Sequence, residues 1–247
     1  MAETPVKQEK GLVRTTRLQG SKTFWDWLQL LLVPVILLVG ILWFTVQQNQ
    51  ANLQLMQQQR DTAAKVAYGQ QQDALVSNYI DSISDMMLHD NLLTAQSISP
   101  VRQVAQVRTL TVLRQLDPDH KATLMDFLYD TNLINNDFHI ISLRSADITN
   151  AHLHNMDLRD TYLSGVNLHG SDLSGANLSF ATLVFVDLSG TNLHGADLHG
   201  SDMHNVDLIG ADLGGANLKD VVGTTTDQLA KAKSLAGTIM PDGSKHS

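Results

Sequence analysis

A leucine recurs at every fifth residue in the C-terminal half of the chain, and this spacing limits the possible folds more than any other feature. Residues 176–200 read ANLSFATLVFVDLSGTNLHGADLHG, and their leucines are Leu178, Leu183, Leu188, Leu193 and Leu198. An α-helix buries residues three and four apart, and a β-strand buries every second residue, so neither gives a period of five. The period predicts a structure whose own unit is five residues long, with these leucines in its core.

Read in this register, residues 131–220 form eighteen consecutive pentapeptides, whose central residue is Leu in all but three: Phe138, Ile148 and Met203. The residue two before the centre is small or apolar, the one just before it is usually Asp or Asn, and the second one after it is often Gly. Two inward residues around one outward residue predict a short extended piece, followed by a type II turn with Gly at its second central position. Four such sides close a turn of twenty residues, and at a strand spacing of about 4.8 Å the coil would be about 22 Å tall.

Tandem A(D/N)LXX pentapeptides resemble the pentapeptide-repeat family, which implies a right-handed quadrilateral β-helix, an all-β solenoid. The flanks VRQVAQVRTLTVLRQLD and TTTDQLAKAKSLAGTIMPDG resemble the borders of membrane-anchored members. The register is weakest at Asn136 and Phe138, which suggests a degenerate first coil. After the repeats, Thr225 and Gln228 predict a capping box for a helix at 227–235 that ends at Gly237 and covers the last coil, within a C-terminal cap and tail at 221–247.

An apolar segment near the start of the chain predicts a transmembrane helix at 25–46. Its core, WLQLLLVPVILLVGILWFTV, has twenty residues and matches the thickness of a bilayer. A buried core helix and a cleaved signal peptide are the alternatives. The preceding basic tail, residues 1–24, contains Lys7, Lys10, Arg14, Arg17 and Lys22. The positive-inside rule then places the N-terminus in the cytoplasm and the repeats outside a single-pass cell membrane protein.

Two further segments separate the apolar segment from the repeats. Residues 47–74 are rich in Gln and predict either a polar helical stalk or a disordered spacer. Residues 75–130 predict a small α-helical region, with Leu75, Tyr79, Ile83 and Met87 on one face and helix starts at Ser99-Pro100 and Asp117-Pro118.

The sequence contains no pattern that indicates catalysis. There is no cysteine and no P-loop, GxGxxG, HExxH or GxSxG motif, so we expect no enzyme activity, no cofactor and no metal. His194, His199 and His204 are five apart and would fall on different faces. The net charge of −8 argues against direct nucleic-acid binding. Aspartate columns such as Asp147, Asn167, Asp187 and Asp207 could form a solvated polar face.

The same columns allow a second function, because some members of the family present an acidic, DNA-like rod to DNA gyrase. The first expectation is a membrane-anchored scaffold that presents a rigid β-helix to an unknown protein partner, with homo-oligomerisation possible. Phe180, Val184 and Phe185 lie at outward positions and form the candidate interaction patch. Packing of this patch against the helices at 75–130, or against a second copy, is the alternative.

Overall fold

The computed structural model describes residues 23–247, so the basic residues from Lys7 to Lys22 lie outside the described part. The helices are α1 (Phe24–Leu88), α2 (Pro100–Leu113), α3 (Pro118–Asp130) and α4 (Thr226–Leu229). The repeats lie between α3 and α4. The described residues divide into two compact units, one that ends at Ala64 and one that comprises Lys65–Ser247.

Within the first unit, α1 begins at Phe24 and carries the apolar segment. In the described part of the chain it is the one helix that is long and apolar enough to cross a membrane, and this rests on length and composition. Its apolar side chains, such as Leu37 and Trp43, are exposed. The Gln-rich stretch 47–74, which extends into the second unit, lies within α1 and is helical, as expected for a good helix former.

In the second unit, the last turns of α1 pack with α2 and α3. The buried face of α1 contains Val76, Tyr79, Ile83 and Met86, which is shifted by one residue at each end from the predicted face. The Tyr79 hydroxyl hydrogen-bonds the Thr109 hydroxyl at 2.7 Å, and burial raises the pKa of Tyr79. This hydrogen bond satisfies two buried polar groups that would otherwise destabilise the helical layer.

Both predicted helix starts are confirmed. The Ser99 hydroxyl accepts from the Arg102 amide, and the Asp117 carboxylate accepts from the His120 amide, each before a proline at the first helical position. The His120 ring also contacts Asp117 at 2.7 Å and Asp73 of α1 at 3.1 Å. Burial alone would lower the pKa of His120, but hydrogen bonds and the charges of these two carboxylates outweigh it and raise the pKa above the ordinary 6.5.

Residues 141–220 form a regular coil, here called the repeat coil. Parallel bridges join residues twenty apart, such as Asp172 with Asn192 and Asn177 with Asp197, so four pentapeptides make one turn. The sixteen pentapeptides therefore make four turns. The five leucines from Leu178 to Leu198 are fully buried. Residues 23–247 contain only such isolated bridges and no longer strand, because each side pairs through its middle residue before the chain turns.

Most corners of the repeat coil are β-turns held by two local hydrogen bonds, one from the backbone and one to an Asp or Asn side chain. In the pentapeptide that contains Leu173, the Ala176 amide donates to the Leu173 carbonyl at 3.0 Å. Gly175 at the second central position has a φ of +65°, as a type II turn requires. The Asp172 carboxylate accepts from the Ser174 amide at 3.0 Å, and equivalent bonds recur around the coil. The Asp and Asn residues therefore stabilise the turns that they precede.

The regular pattern begins at Ile141, so the first two of the eighteen predicted pentapeptides do not belong to it. Phe138 is 74% exposed rather than inward. Asn135 instead forms an antiparallel bridge with Thr161, and the Leu133 amide donates a hydrogen bond to the Leu128 carbonyl in the last turn of α3. Packing onto α3 overrides the five-residue period in this segment.

The C-terminal end also differs from the expectation. The capping box of Thr225 and Gln228 is present, but α4 ends at Leu229 rather than near 235. Ser234 and Ile239 continue the bridging, each paired with a residue twenty-two positions earlier. Gly237, with a φ of +73°, lies in this continuation and does not end a helix. The chain therefore adds a further, partly irregular turn that accommodates α4 with two extra residues.

Candidate functional site

One face of the repeat coil differs chemically from the other three. Its outward residues are Tyr162, Thr182, Asp202 and Val222, which are joined by successive bridges and define the Tyr162 face. The outward residues of the other three columns are Asp147, Asn167, Asp187 and Asp207; His152, Asp172, Asn192 and Asp212; and Asp157, Asn177, Asp197 and Asn217. The other faces are thus built mainly from Asp and Asn, whereas the Tyr162 face contains one carboxylate.

The Asp and Asn residues on the other faces also contact one another between turns. The Asn192 amide donates to Asp172 at 2.9 Å, and the Asn217 amide donates to Asp197 at 2.9 Å. Where Asn alternates with Asp in a column, neighbouring carboxylates are two turns apart. The alternation therefore reduces like-charge repulsion and stabilises the coil.

Two phenylalanines stand at the corners on either side of the Tyr162 face. Phe180 ends the pentapeptide before the one that contains Thr182, and Phe185 ends the pentapeptide that contains Thr182. Phe180 is 52% exposed and Phe185 is 65% exposed. Both have a φ of +58°, where most other repeats hold Gly, Asn or Asp. A bulky side chain in this left-handed region costs roughly 1–2 kcal/mol, so local structure alone disfavours phenylalanine at both positions.

The ring of Phe180 lies over the next turn of the coil. It meets His199 edge-on at 5.2 Å between centroids, and a Cβ built on Gly200 would lie 2.7 Å from the ring. The Phe180 carbonyl accepts from the Asn136 amide at 2.7 Å, and the same Asn136 accepts from the Thr182 hydroxyl at 2.8 Å. The segment before the repeat coil therefore ties one corner of the Tyr162 face in place.

The other side of the face contains an open cleft of about 250 Å³. Its walls include Tyr162 and Thr182 from the face, Val184 and Phe185 from the corner, and Arg144 from the turn below. The Tyr162 ring is stacked on His139 with a centroid distance of 4.1 Å and an angle of 10°. The cleft thus combines aromatic walls with hydroxyl groups and one cation.

The structure brings the three residues of the sequence-predicted patch to one region, although not into one cluster. Val184 and Phe185 line the cleft, while Phe180 lies at the opposite corner beyond Thr182. More than half of each phenylalanine is exposed, so the helices of this unit do not cover the two rings. Tyr162, His139 and Arg144 were not predicted, although the twenty-residue period already places Tyr162 and Thr182 in one column.

The predicted histidine positions make separate local contacts. His199 meets Phe180, His204 contacts Asp202, and the ring of His194 lies near Gly214. Within residues 23–247, no group of three or more His, Cys, Asp or Glu side chains is placed to hold a metal ion.

Comparison with known proteins agrees with the repeat register. The family profile described as pentapeptide repeats matches residues 141–179 and 181–220 in eight copies. The pentapeptide repeat protein alr5209 from Nostoc PCC 7120 is 31% identical, over 42% of this chain and 79% of its own length, with a TM-score of 0.24. The chain belongs to the pentapeptide-repeat family.

Two other pentapeptide-repeat structures are similar in part. HetL, a pentapeptide repeat protein involved in heterocyst differentiation regulation from the cyanobacterium Nostoc sp. strain PCC 7120, is 33% identical over 43% of this chain, with a TM-score of 0.32. This chain spans 54% of the length of HetL. QnrB1, a plasmid-mediated fluoroquinolone resistance protein, is 16% identical over 42% of this chain and 62% of its own length, with a TM-score of 0.26. Comparison with curated proteins finds no match.

Family membership defines a class of role for this pentapeptide-repeat protein. Proteins of this family are interaction scaffolds and are generally non-enzymatic. A shared fold does not identify a partner, which has to be inferred from surface residues. The Tyr162 face, with its two strained phenylalanines, is therefore the candidate interaction site.

Proposed function

We propose that this pentapeptide-repeat protein is a membrane-anchored scaffold that binds a protein partner through the Tyr162 face. The observation that carries the proposal is the pair Phe180 and Phe185, which are exposed and held at positive φ. A conformation that disfavours phenylalanine on local grounds points to a requirement outside the turn itself. Aromatic side chains, including Phe, are enriched at protein interfaces relative to the rest of the surface.

The rigidity of the repeat coil supports this function. Every pentapeptide of the coil is bonded to neighbouring turns, and its inward residues form one continuous core. Side chains carried on such a frame lose little backbone freedom when a partner binds. The entropic cost of association is therefore smaller than for the same side chains on a flexible loop.

Photo-crosslinking in cells tests the interaction. We would place p-benzoylphenylalanine at Val184, beside the cleft, and as a matched control at Ser174, which has the same position in its pentapeptide but lies two corners away. We expect a discrete crosslinked product at Val184 that is lost when Phe180 and Phe185 are both replaced by Gly. Equal products at the two positions would contradict the proposal. A product containing two copies of this chain would assign the face to self-association.

The membrane anchor is the second part of the proposal. The length and the exposed apolar side chains of the N-terminal segment of α1 support a membrane span. The basic residues before this segment support an orientation with the repeat coil outside the cell. The family resemblance supports a right-handed quadrilateral β-helix for that coil. Sidedness is tested by Ser244→Cys and a membrane-impermeant thiol reagent, because the chain has no other cysteine. Labelling in intact cells supports the outward orientation, and labelling only after lysis contradicts it.

The alternative function is an acidic modulator of a topoisomerase such as DNA gyrase. Aspartates on three faces of the repeat coil favour it, including Asp187 and Asp207 on successive turns. Against it, many of these carboxylates bond their own turns and alternate with Asn. A gyrase supercoiling assay with the purified protein tests this alternative. Inhibition that disappears when Asp187 and Asp207 are replaced by Asn would favour it over the scaffold.

A further inference from the structure

We propose that the cleft beside Arg144 binds the C-terminal residue of a partner peptide, with its carboxylate at Arg144 and an apolar side chain against Phe185. The inference rests on the proposed function, since it names the chemistry that the Tyr162 face would recognise. It depends on three properties of the cleft: its charge, its unpaired donors and its size.

The charge of the cleft is opposite to that of the rest of the coil. Arg144 is the one charged residue among the residues that line it. The net charge of the chain is −8, and carboxylates occupy the other three faces. An anionic group therefore meets attraction at this cleft, whereas most of the surrounding coil surface is negatively charged, so a negatively charged segment is directed here.

The donors of the cleft are available for a ligand. Within residues 23–247, the Arg144 guanidinium and the hydroxyls of Tyr162 and Ser164 have no hydrogen-bond or ion-pair partner. By contrast, Arg159, three corners further along the chain, is already paired with Asp157 through two guanidinium nitrogens. The aliphatic stem of Arg144 lies over Gly165, where a Cβ would come within 3.1 Å of Cγ. A guanidinium in a cleft that also holds two hydroxyls suits a carboxylate.

The size and walls of the cleft set the rest of the ligand. A volume of about 250 Å³ lies below the range of roughly 300–1,000 Å³ that is usual for whole small-molecule sites. It suits one residue rather than a cofactor. Val184 and the Phe185 ring form an apolar wall close to Arg144. A residue whose carboxylate and apolar side chain share one carbon, as at a peptide C-terminus, can contact both parts at once.

Ligand-observed NMR on the full chain in detergent micelles tests the inference. The probes are N-acetylphenylalanine, which has the carboxylate, and N-acetylphenylalaninamide, which lacks it. We expect the carboxylate probe to bind in the millimolar range and the amide to bind about tenfold more weakly, since hydrogen bonds to charged groups are the stronger class. Equal binding of the two probes, or equal binding of inorganic phosphate, would overturn the inference.

Matched variants locate the binding. Arg144→Gln should weaken the carboxylate probe about tenfold, whereas Lys219→Gln, at the same position of its pentapeptide, should leave binding unchanged. Phe185→Gly should remove binding, and Phe180→Gly, which lies outside the cleft, should not. If both probes fail but the Val184 crosslink persists, the carboxylate inference is wrong and the proposed function stands. If no crosslinked product forms from position 184 in the otherwise unchanged chain, the proposed function itself is contradicted.

Discussion

Replacement of Phe185 by Gly should remove partner binding while leaving the stability of the repeat coil almost unchanged. Phe185 is 65% exposed, so about a third of the side chain is buried. Full burial of phenylalanine is worth about 1.5–3 kcal/mol, and a third of this is roughly 0.5–1 kcal/mol. Gly relieves a left-handed strain of roughly 1–2 kcal/mol but adds an entropic cost of roughly 0.5–1 kcal/mol. The net change in the free energy of unfolding should therefore lie within about 1 kcal/mol of zero.

The control for this prediction is Phe185→Ala, which removes the same ring but keeps a side chain at a φ of +58°. Because alanine does not relieve the strain, the Ala variant should be less stable than the Gly variant by about 0.5–1 kcal/mol. Denaturant unfolding of the full chain in detergent, followed by circular dichroism, gives both stabilities. Crosslinking from Val184 gives the binding of each variant.

Two results would refute the reasoning. A loss of more than about 2 kcal/mol for Phe185→Gly would mean that the ring stabilises the coil. An unchanged crosslink in both variants would mean that the ring does not take part in binding. Either result would remove the argument that the strained phenylalanines are retained for a partner.

Three further predictions test the coil and its attachment to the helices. Gly200→Ala should displace the Phe180 ring and weaken crosslinking from Val184. The control is Gly195→Ala, which has nearly the same φ (+68°, compared with +66° at Gly200) but adds its methyl group to open space and should leave crosslinking unchanged. Equal effects of the two variants would contradict the packing of Phe180 on Gly200. Leu193→Asp places an unpaired charge in the core and should abolish cooperative unfolding of the repeat coil, so wild-type β content and melting would disprove the register. Because the pKa of His120 is raised in the folded state, protonated His120 contributes fully to the free energy of unfolding below pH 6.5 and loses this contribution as pH rises through the folded-state pKa. The difference in the free energy of unfolding between the wild type and His120→Gln should therefore shrink from pH 5.5 to pH 8.5.

The sequence predicts most accurately where a local rule decides the structure. The pentapeptide register predicts which residues are twenty apart, and Asp172 and Asn192 are bridged as expected. Ser99-Pro100 and Asp117-Pro118 are local capping signals, and both helices begin there. In each case the hydrogen-bonding partner lies within a few residues or one repeat turn, so the pattern contains the information.

The failures occur where packing between elements overrides the local period. Phe138 has the central position of its pentapeptide by count, but the preceding Leu133 is bonded to the last turn of α3 and the Phe138 ring is exposed. At the other end, α4 adds two residues to a turn, so Ser234 pairs with Asp212 at a spacing of twenty-two. The five-residue count misses this side because its central leucine, Leu235, is displaced by two residues from the register.

The candidate site was predicted only in part, for a related reason. Phe180 and Phe185 depart from the repeat and are visible as exceptions in the sequence. Tyr162 and Arg144 occupy ordinary outward and turn positions, where many residue types are allowed. Their relation to Phe185 appears only when residues from different turns are placed beside one another in the folded coil.

The full set of turn positions with positive φ agrees with the proposed site on the Tyr162 face. Sixteen residues of the repeat coil occupy this position, and thirteen of them are Gly, Asn or Asp, which tolerate it. The three exceptions are Ser145, Phe180 and Phe185. In the twenty-residue register all three stand at corners that border the Tyr162 face, and none borders only the other faces. Backbone tolerance predicts no such clustering, since the four corners are equivalent in conformation. This placement is what the proposed interaction through the Tyr162 face predicts.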